Sequence, residues 1–342
     1  MIKRRFTPIP TSQSKSKLHP KEPPCLLKEI NMPLHPQAKA FLDIINASDR
    51  IPLPVLGAKK SRELYTERPE YIAPPWVAVF SVEDRIIEQN DLSIPIRIYT
   101  PKEPTTPLPI CVFYHGGGMV IGSIEGYDTL CRQLCVASEC IIVSVDYRLA
   151  PEHKFPAAID DAYAAFLWIY LHAESLGGDR NKIAVCGDSA GGSLAAVTAI
   201  MARDQKISCI KHQMLIYPAT APHANSSSHF DFAKGYFLER DTVLWFHDCY
   251  IRSEKDRQDF RYAPLITENL ENLPPALMII AGYDTLRDEG IAYANRLTAS
   301  NVEVTLIEYE GMFHPFLSLA GVLDDGKEAI KIMAATLKKL TQ

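Results

Sequence analysis

The stretch Gly187-Asp188-Ser189-Ala190-Gly191-Gly192 decides the fold of this chain, because the local pattern changes there from one type to another. A short apolar run, residues 182–186, precedes it, and a run of small residues, 193–202, follows it. This pattern predicts a strand, a sharp turn with serine at its apex, and a helix. Glycine on either side of Ser189 lets neighbouring backbone pass closely, so we expect this serine in a strained conformation at the sheet edge.

Two further patterns suit a serine that attacks a carbonyl group. His115-Gly116-Gly117-Gly118 follows the strand-like run 109–114, and a row of bare backbone N–H groups can bind a developing oxyanion. Downstream, Asp284 and His314 each follow another strand-like run. The order serine, acid, histidine along the chain is that of the α/β-hydrolase fold.

Ser189 requires a neighbouring base, and we assign His314 to that role. His314 leaves the last predicted strand at the carboxyl edge of the sheet, where open α/β sheets bind their ligands. Asp284, which closely follows the strand-like run 276–281, is our choice for the carboxylate that orients the imidazole. Asp288 and Glu289 are its rivals, although both resemble first-turn residues of the next helix.

With these motifs, the chain resembles the hormone-sensitive-lipase-like family of α/β-hydrolase carboxylesterases. The resemblance extends from about Met32 to the C-terminus. It rests on five separated motifs in the family's order: His115-Gly116-Gly117-Gly118, Asp146-Tyr147-Arg148-Leu149-Ala150-Pro151-Glu152, the 187–192 turn, the 282–290 segment that contains Asp284, and Gly311-Met312-Phe313-His314.

The resemblance implies an α/β-hydrolase fold, a mostly parallel, doubly wound sheet of about eight strands with a helical cap. Residues 71–342 would form the catalytic domain, and the cap would come from residues 32–70 and from an insertion at about 218–262. The sequence agrees, since near-continuous apolar runs, typical of doubly covered parallel strands, alternate with helical patterns. The strand candidates are 110–114, 141–146, 182–186, 213–217, 276–281 and 304–309, preceded by edge strands at 76–88 and 92–99.

The resemblance further implies a serine carboxylesterase that hydrolyses short- to medium-chain acyl esters through an acyl-enzyme on Ser189. The oxyanion hole would use the N–H groups of Gly117, Gly118 and Ala190, with Gly116 giving the loop its freedom. The partner would be a small-molecule ester, no cofactor or metal is expected, and the family often forms homodimers.

Other functions remain open on the sequence alone. A lipase or an amidase of the same fold would use the same residues. A relative that binds a ligand without catalysis would keep the pocket and lose the triad, whereas Ser189, Asp284 and His314 are all present here.

Composition excludes several classes of function. Acidic residues outnumber basic ones by 41 to 36, so no general basic surface for nucleic acid is expected. No run of about 18 apolar residues is present, so we expect no transmembrane helix.

Residues 1–31 carry seven basic and two acidic side chains and are predicted to be a disordered tail. The eight cysteines lack a paired C-x-x-C metal spacing, and their free thiols suit a cytoplasmic protein.

Overall fold

The computed structural model describes residues 2–4, 33–67, 69–89 and 92–341, and nine strands of that part form one sheet. The strands are β1 Ile2–Arg4, β2 Ser81–Gln89, β3 Leu92–Thr100, β4 Leu108–Tyr114, β5 Ile141–Val145, β6 Gly178–Asp188, β7 Ile210–Ile216, β8 Ala276–Tyr283 and β9 Val304–Phe313. Their order across the sheet is β1-β9-β8-β7-β6-β4-β5-β3-β2.

The strands from β4 to β9 run parallel to one another, whereas β1, β2 and β3 pair antiparallel. Every residue of β4 and of β5 is buried, because helices cover both faces of the sheet. The predicted doubly wound, mostly parallel sheet is therefore confirmed. Since the carboxyl ends of the parallel strands share one edge, the residues that follow β4, β6, β8 and β9 meet there.

Two separate apolar cores fill the two faces of the sheet. The helices are α1 Pro36–Ala47, α2 Leu53–Thr66, α3 Ile124–Ser138, α4 Ala157–His172, α5 Ala190–Asp204, α6 Ser227–Asp231, α7 Arg240–Tyr250, α8 Arg287–Ala299 and α9 Asp324–Lys338. Buried residues of α4, α5 and α8 share one core, and those of α1, α3 and α9 share the other. The second helix, α2, is kinked at Gly57, where φ is +75°.

The edges of the sheet depart from the sequence prediction. Residues 2–4 pair with β9 as a short ninth strand, although residues 1–31 were predicted to be disordered; the rest of that tail lies outside the described residues. The strand predicted over 76–88 begins only at Ser81, because its partner β3 ends at Thr100 and leaves the preceding residues without a ladder.

Within residues 2–4, 33–67, 69–89 and 92–341, no helix combines the length and the apolar character that crossing a membrane requires. The free cysteines of this part are all buried except Cys249, which is half-buried. Cys131 and Cys135, one turn apart on α3, belong to the core that α3 shares with α9. They behave as small apolar residues there.

Helix α4 offers a direct test of how much the core contributes to stability. Phe166 is fully buried on this helix, whereas Leu171, on the same helix, is 64% exposed. We expect Phe166→Ala to lower the free energy of unfolding by about 3–5 kcal/mol, because it leaves a cavity, and Leu171→Ala to change it by less than about 0.5 kcal/mol. Urea unfolding of both variants measures the difference, and equal losses would contradict this account of the core.

Candidate active site

Ser189 lies at the turn between β6 and α5 with φ +55° and ψ −122°, a strained backbone for a residue that is not glycine. Three backbone hydrogen bonds hold it. Its N–H donates to the carbonyl of Ile216 at 2.8 Å, and its carbonyl accepts from Ser193 and Ala219 at 3.2 Å each. A Cβ on Gly191 would collide with the carbonyl oxygens at the end of β4, so glycine is required there. The strain expected from the sequence is confirmed.

Asp284 and His314 lie side by side because of strand register. Tyr283 and Phe313 are register partners at the ends of the parallel strands β8 and β9, and the two residues follow directly. His314 Nδ1 lies 2.8 Å from Asp284 Oδ2, and both residues are buried. The second oxygen, Asp284 Oδ1, accepts the N–H of Leu286 at 2.9 Å. The carboxylate is thus fixed on both sides and can orient the imidazole.

The two rival carboxylates have other partners. Asp288 Oδ2 accepts the N–H of Ser228 at 2.8 Å. Glu289 Oε1 accepts the backbone N–H groups of Thr220 and Ala221. Both therefore hold residues 220–228 against the start of α8, which follows the turn that carries Asp284. Asp284 is the carboxylate that the structure pairs with His314.

The glycine loop, residues 115–118, follows β4, and its backbone N–H groups differ in whether they are hydrogen-bonded within the protein. The N–H of Gly116 donates to Asp188 Oδ1 at 2.9 Å and also contacts the hydroxyl of Tyr127 at 3.1 Å. In the described part of the chain, no protein acceptor takes the N–H of Gly117, Gly118 or Ala190. Of the residues predicted for the oxyanion hole, these three can therefore donate to a ligand, whereas Gly116 secures the loop.

Asp188 fixes the glycine loop beside the serine turn. Its Oδ2 accepts the hydroxyl of Tyr127 at 2.9 Å, so that the carboxylate, the phenol and the Gly116 N–H form a closed set of hydrogen bonds. Burial raises the pKa of Asp188 to about 6, and the hydrogen bond from Tyr127 opposes this shift. The sequence analysis missed Tyr127, which lies on α3, outside both motifs.

His115, the first residue of this loop, is buried and not available as a base. Its ring stacks on that of Tyr147 with the centroids 4.3 Å apart, and its Nδ1 lies 2.8 Å from the carbonyl oxygen of Gly116. Burial lowers its pKa to about 4. His229 is likewise buried, with Nδ1 2.7 Å from Ser226 Oγ.

Ser189 and His314 line one cavity of about 790 Å³ at the carboxyl edge of the sheet. Gly117, Gly118 and Ala190 also line it. Its walls come mainly from α1, α2 and the segment 218–262, and are mostly apolar: Phe41, Ile45, Leu53, Leu56, Phe237, Leu238, Val243, Phe246, Tyr250 and Leu286. Such a cavity suits a small organic ligand with an apolar body.

Arg62 holds helix α2 against the segments that follow β4 and β5. Its guanidinium, on α2, donates to the carbonyls of Val120 and Ala150 at 2.7 and 2.6 Å and to the carboxylate of Glu152 at 2.7 Å. Because Val120 follows the glycine loop closely, α2 and the loop share one support.

His247 also lines the cavity and was missed by the sequence analysis. The signal was present, because Val243, Phe246, His247 and Tyr250 recur at the helical spacing of one face.

Among the described residues, no group of three His, Cys, Asp or Glu side chains could hold a metal ion.

Comparison with known proteins adds a second line of observation. A family model of the alpha/beta hydrolase fold matches residues 111–318. An ethyl acetate hydrolase of Pseudomonas putida is 34% identical over 316 residues, which cover 90% of this chain and 99% of the relative. An arylesterase of Saccharolobus solfataricus is 39% identical over 287 residues, which cover 84% of this chain and 93% of the relative.

The solved structures agree with these relatives. A hyperthermophilic esterase from Pyrobaculum calidifontis is 41% identical with a TM-score of 0.85, covering 91% of this chain and 99% of the other. A thermostable esterase from Pseudomonas putida has a TM-score of 0.87 at 34% identity, covering 91% of this chain and 98% of the other.

The buried carboxyl of Glu289 predicts a pH-dependent stability. Burial raises its pKa from 4.5 to about 8, so between these values the folded chain keeps a proton that the unfolded chain releases. Its contribution to stability is therefore complete below about pH 4.5 and is lost as the pH rises through about 8. The Glu289→Gln variant has no titratable group at this position and serves as the reference.

We therefore expect the free energy of unfolding of the wild type, relative to Glu289→Gln, to fall by about 1.4 kcal/mol per pH unit across that interval. Urea unfolding of both proteins at a series of pH values measures this difference. Parallel pH profiles would show that Glu289 is ionised in the folded protein.

Proposed function

Since this chain belongs to the hormone-sensitive-lipase-like family of α/β-hydrolase carboxylesterases and is a carboxylic ester hydrolase, we propose that it cleaves esters of short- to medium-chain acids through an acyl-enzyme on Ser189. The observation that carries the proposal is the pairing of His314 with Asp284 at 2.8 Å on the cavity that Ser189 also lines. The ethyl acetate hydrolase among the relatives supports a short acyl group.

The reaction would proceed in two steps. Ser189 Oγ attacks the ester carbonyl while His314 Nε2 takes its proton, and the Asp284 carboxylate stabilises the resulting imidazolium. The N–H groups of Gly117, Gly118 and Ala190 donate to the oxyanion. His314 then gives the proton to the leaving alcohol. In the second step His314 takes a proton from water, whose oxygen attacks the acyl group, and Ser189 recovers its hydrogen.

The shape and chemistry of the cavity support the chain-length part of the proposal. Apolar walls surround the serine and favour an alkyl acyl group or alcohol. A volume of about 790 Å³ accommodates a molecule of modest size. The same cavity would serve a lipase or an amidase, so the substrate series must include their substrates as well.

Removing the nucleophile tests the mechanism. We expect Ser189→Ala to reduce the turnover of a series of nitrophenyl esters by more than about 10,000-fold, because a methyl group cannot form the acyl-enzyme. Ser144→Ala is the matched control, since Ser144 is another buried serine and lies within β5. It should retain wild-type turnover. Residual turnover by Ser189→Ala near the wild-type level would refute the acyl-enzyme on Ser189.

The same series defines the substrate class. We expect wild-type kcat/KM to be highest for short acyl chains in solution. A preference for emulsified long-chain esters would favour a lipase, and comparable cleavage of a matched anilide would favour an amidase. Either result would contradict the proposed substrate class without affecting the role of Ser189.

Tyr127 tests whether the glycine loop must be held in place. Tyr127→Phe removes the hydroxyl that donates to Asp188, so we expect kcat/KM to fall by about tenfold to a hundredfold through misplaced oxyanion donors. Affinity for a trifluoromethyl ketone, which forms a tetrahedral adduct with the serine, should fall in parallel. Tyr99→Phe is the control, because it removes a hydrogen bond of the same kind, from a tyrosine hydroxyl to Asp128 Oδ1, between residues that do not line the cavity. A Tyr127→Phe enzyme that lost only stability would contradict this role.

A further inference from the structure

Helix α7 presents one face to the cavity. Val243, Phe246, His247 and Tyr250 follow one another at helical spacing, and all four line the cavity. The ring of Phe246 occupies the position that a Cβ on Gly118 would take, so this face of α7 lies directly against the glycine loop. His247 lies one residue from that contact, and it lines the cavity together with a second polar residue of the same helix, Thr242.

A buried arginine determines which nitrogen of His247 carries hydrogen. Arg257 Nη1 lies 3.2 Å from His247 Nδ1, and a guanidinium can only donate hydrogen bonds. Nδ1 must therefore accept, and the hydrogen of the ring lies on Nε2. Arg257 itself is well anchored, because it also donates to the carbonyl of Pro222 at 2.8 Å and to the carboxylate of Glu254 at 2.9 Å.

The same environment keeps the imidazole neutral. Burial, and then the charge of Arg257, lower the pKa of His247 to about 3. Nε2–H is thus a neutral donor over the range in which an esterase would be assayed. Among the residues that the structure describes, none accepts a hydrogen bond from His247 Nε2, although Nδ1 has its partner.

We propose that the Nε2–H of His247 is an oxygen-binding subsite that selects esters with a second oxygen acceptor, an ether, hydroxyl or carbonyl oxygen, apart from the scissile ester. This inference rests on the proposed function, because it places that second oxygen in the same cavity as Ser189. An alkyl chain laid over His247 would remove its donor from water without replacing the hydrogen bond, whereas an oxygen at that position would accept it.

The experiment compares esters in which one methylene is replaced by oxygen. On the alcohol side, methoxyethyl acetate is compared with butyl acetate, and on the acyl side, ethyl methoxypropanoate with ethyl pentanoate. The measured quantity is the ratio of kcat/KM for the ether to kcat/KM for its alkyl counterpart. If the ratio depends on His247 for the alcohol-side pair, the alcohol part of the ester reaches the subsite. If it depends on His247 for the acyl-side pair, the acyl part does.

We expect His247→Phe, which keeps a ring and removes the donor, to lower the ratio between about threefold and tenfold in one arm. His247→Gln, which restores an N–H donor on a side chain of similar reach, should recover most of the wild-type ratio. His247→Leu provides the same comparison if the phenylalanine variant does not fold.

The outcomes separate this proposal from the one on which it rests. Phenyl acetate, which has no oxygen beyond the ester group, reports the general activity of each folded variant. Equal ratios for the three enzymes in both arms would overturn the subsite, and so would the loss of all ester turnover in a folded His247→Phe protein. Absence of ester hydrolysis by the wild type would instead refute the proposed function.

Discussion

The strained backbone of Ser189 is the constraint on which the site depends. A residue other than glycine adopts φ +55° here because hydrogen bonds from neighbouring segments hold both its N–H and its carbonyl. The close approach of Gly191 to the end of β4 also brings the glycine loop beside the serine. The serine turn and the loop of free N–H groups are thus one consequence of packing β4 against β6 and α5.

Three carboxylates, those of Asp188, Asp284 and Glu289, are buried, and their partners assign different roles to them. Asp284 accepts from an imidazole and a backbone N–H, which leaves it suited to stabilise positive charge on His314. Asp188 accepts from Gly116 and Tyr127 and holds the glycine loop. Glu289 accepts from two backbone N–H groups, and burial raises its pKa to about 8, so that it acts as a neutral clamp at neutral pH. Burial is common to all three, and the hydrogen-bond partners distinguish them.

The walls of the cavity are mostly apolar, and the two histidines that line it are each held by a partner outside it. His314 is oriented by Asp284, and His247 is fixed as an Nε2–H donor by Arg257. One histidine is paired with a carboxylate and the other with a guanidinium, which gives the two rings opposite electrostatic environments. A carboxylate favours the protonated imidazole that a general base becomes, whereas a guanidinium excludes it. The two histidines of one cavity are therefore suited to different tasks.

The sequence by itself determined the fold and the candidate nucleophile, because those signals are local. Buried parallel strands require continuous apolar runs, and a tight strand-turn-helix requires glycine beside Ser189, so both leave a pattern within a few residues. Tertiary structure alone decided which partner each polar group has. The pairing of Asp284 instead of Asp288 or Glu289 with His314 depends on the register of β8 and β9. The use of the Gly116 N–H by Asp188 depends on a contact between segments distant in the chain, and the tautomer of His247 depends on how the chain that follows α7 brings Arg257 back to it. A hydrogen bond is set by distances of a few tenths of an ångström, which no sequence pattern specifies.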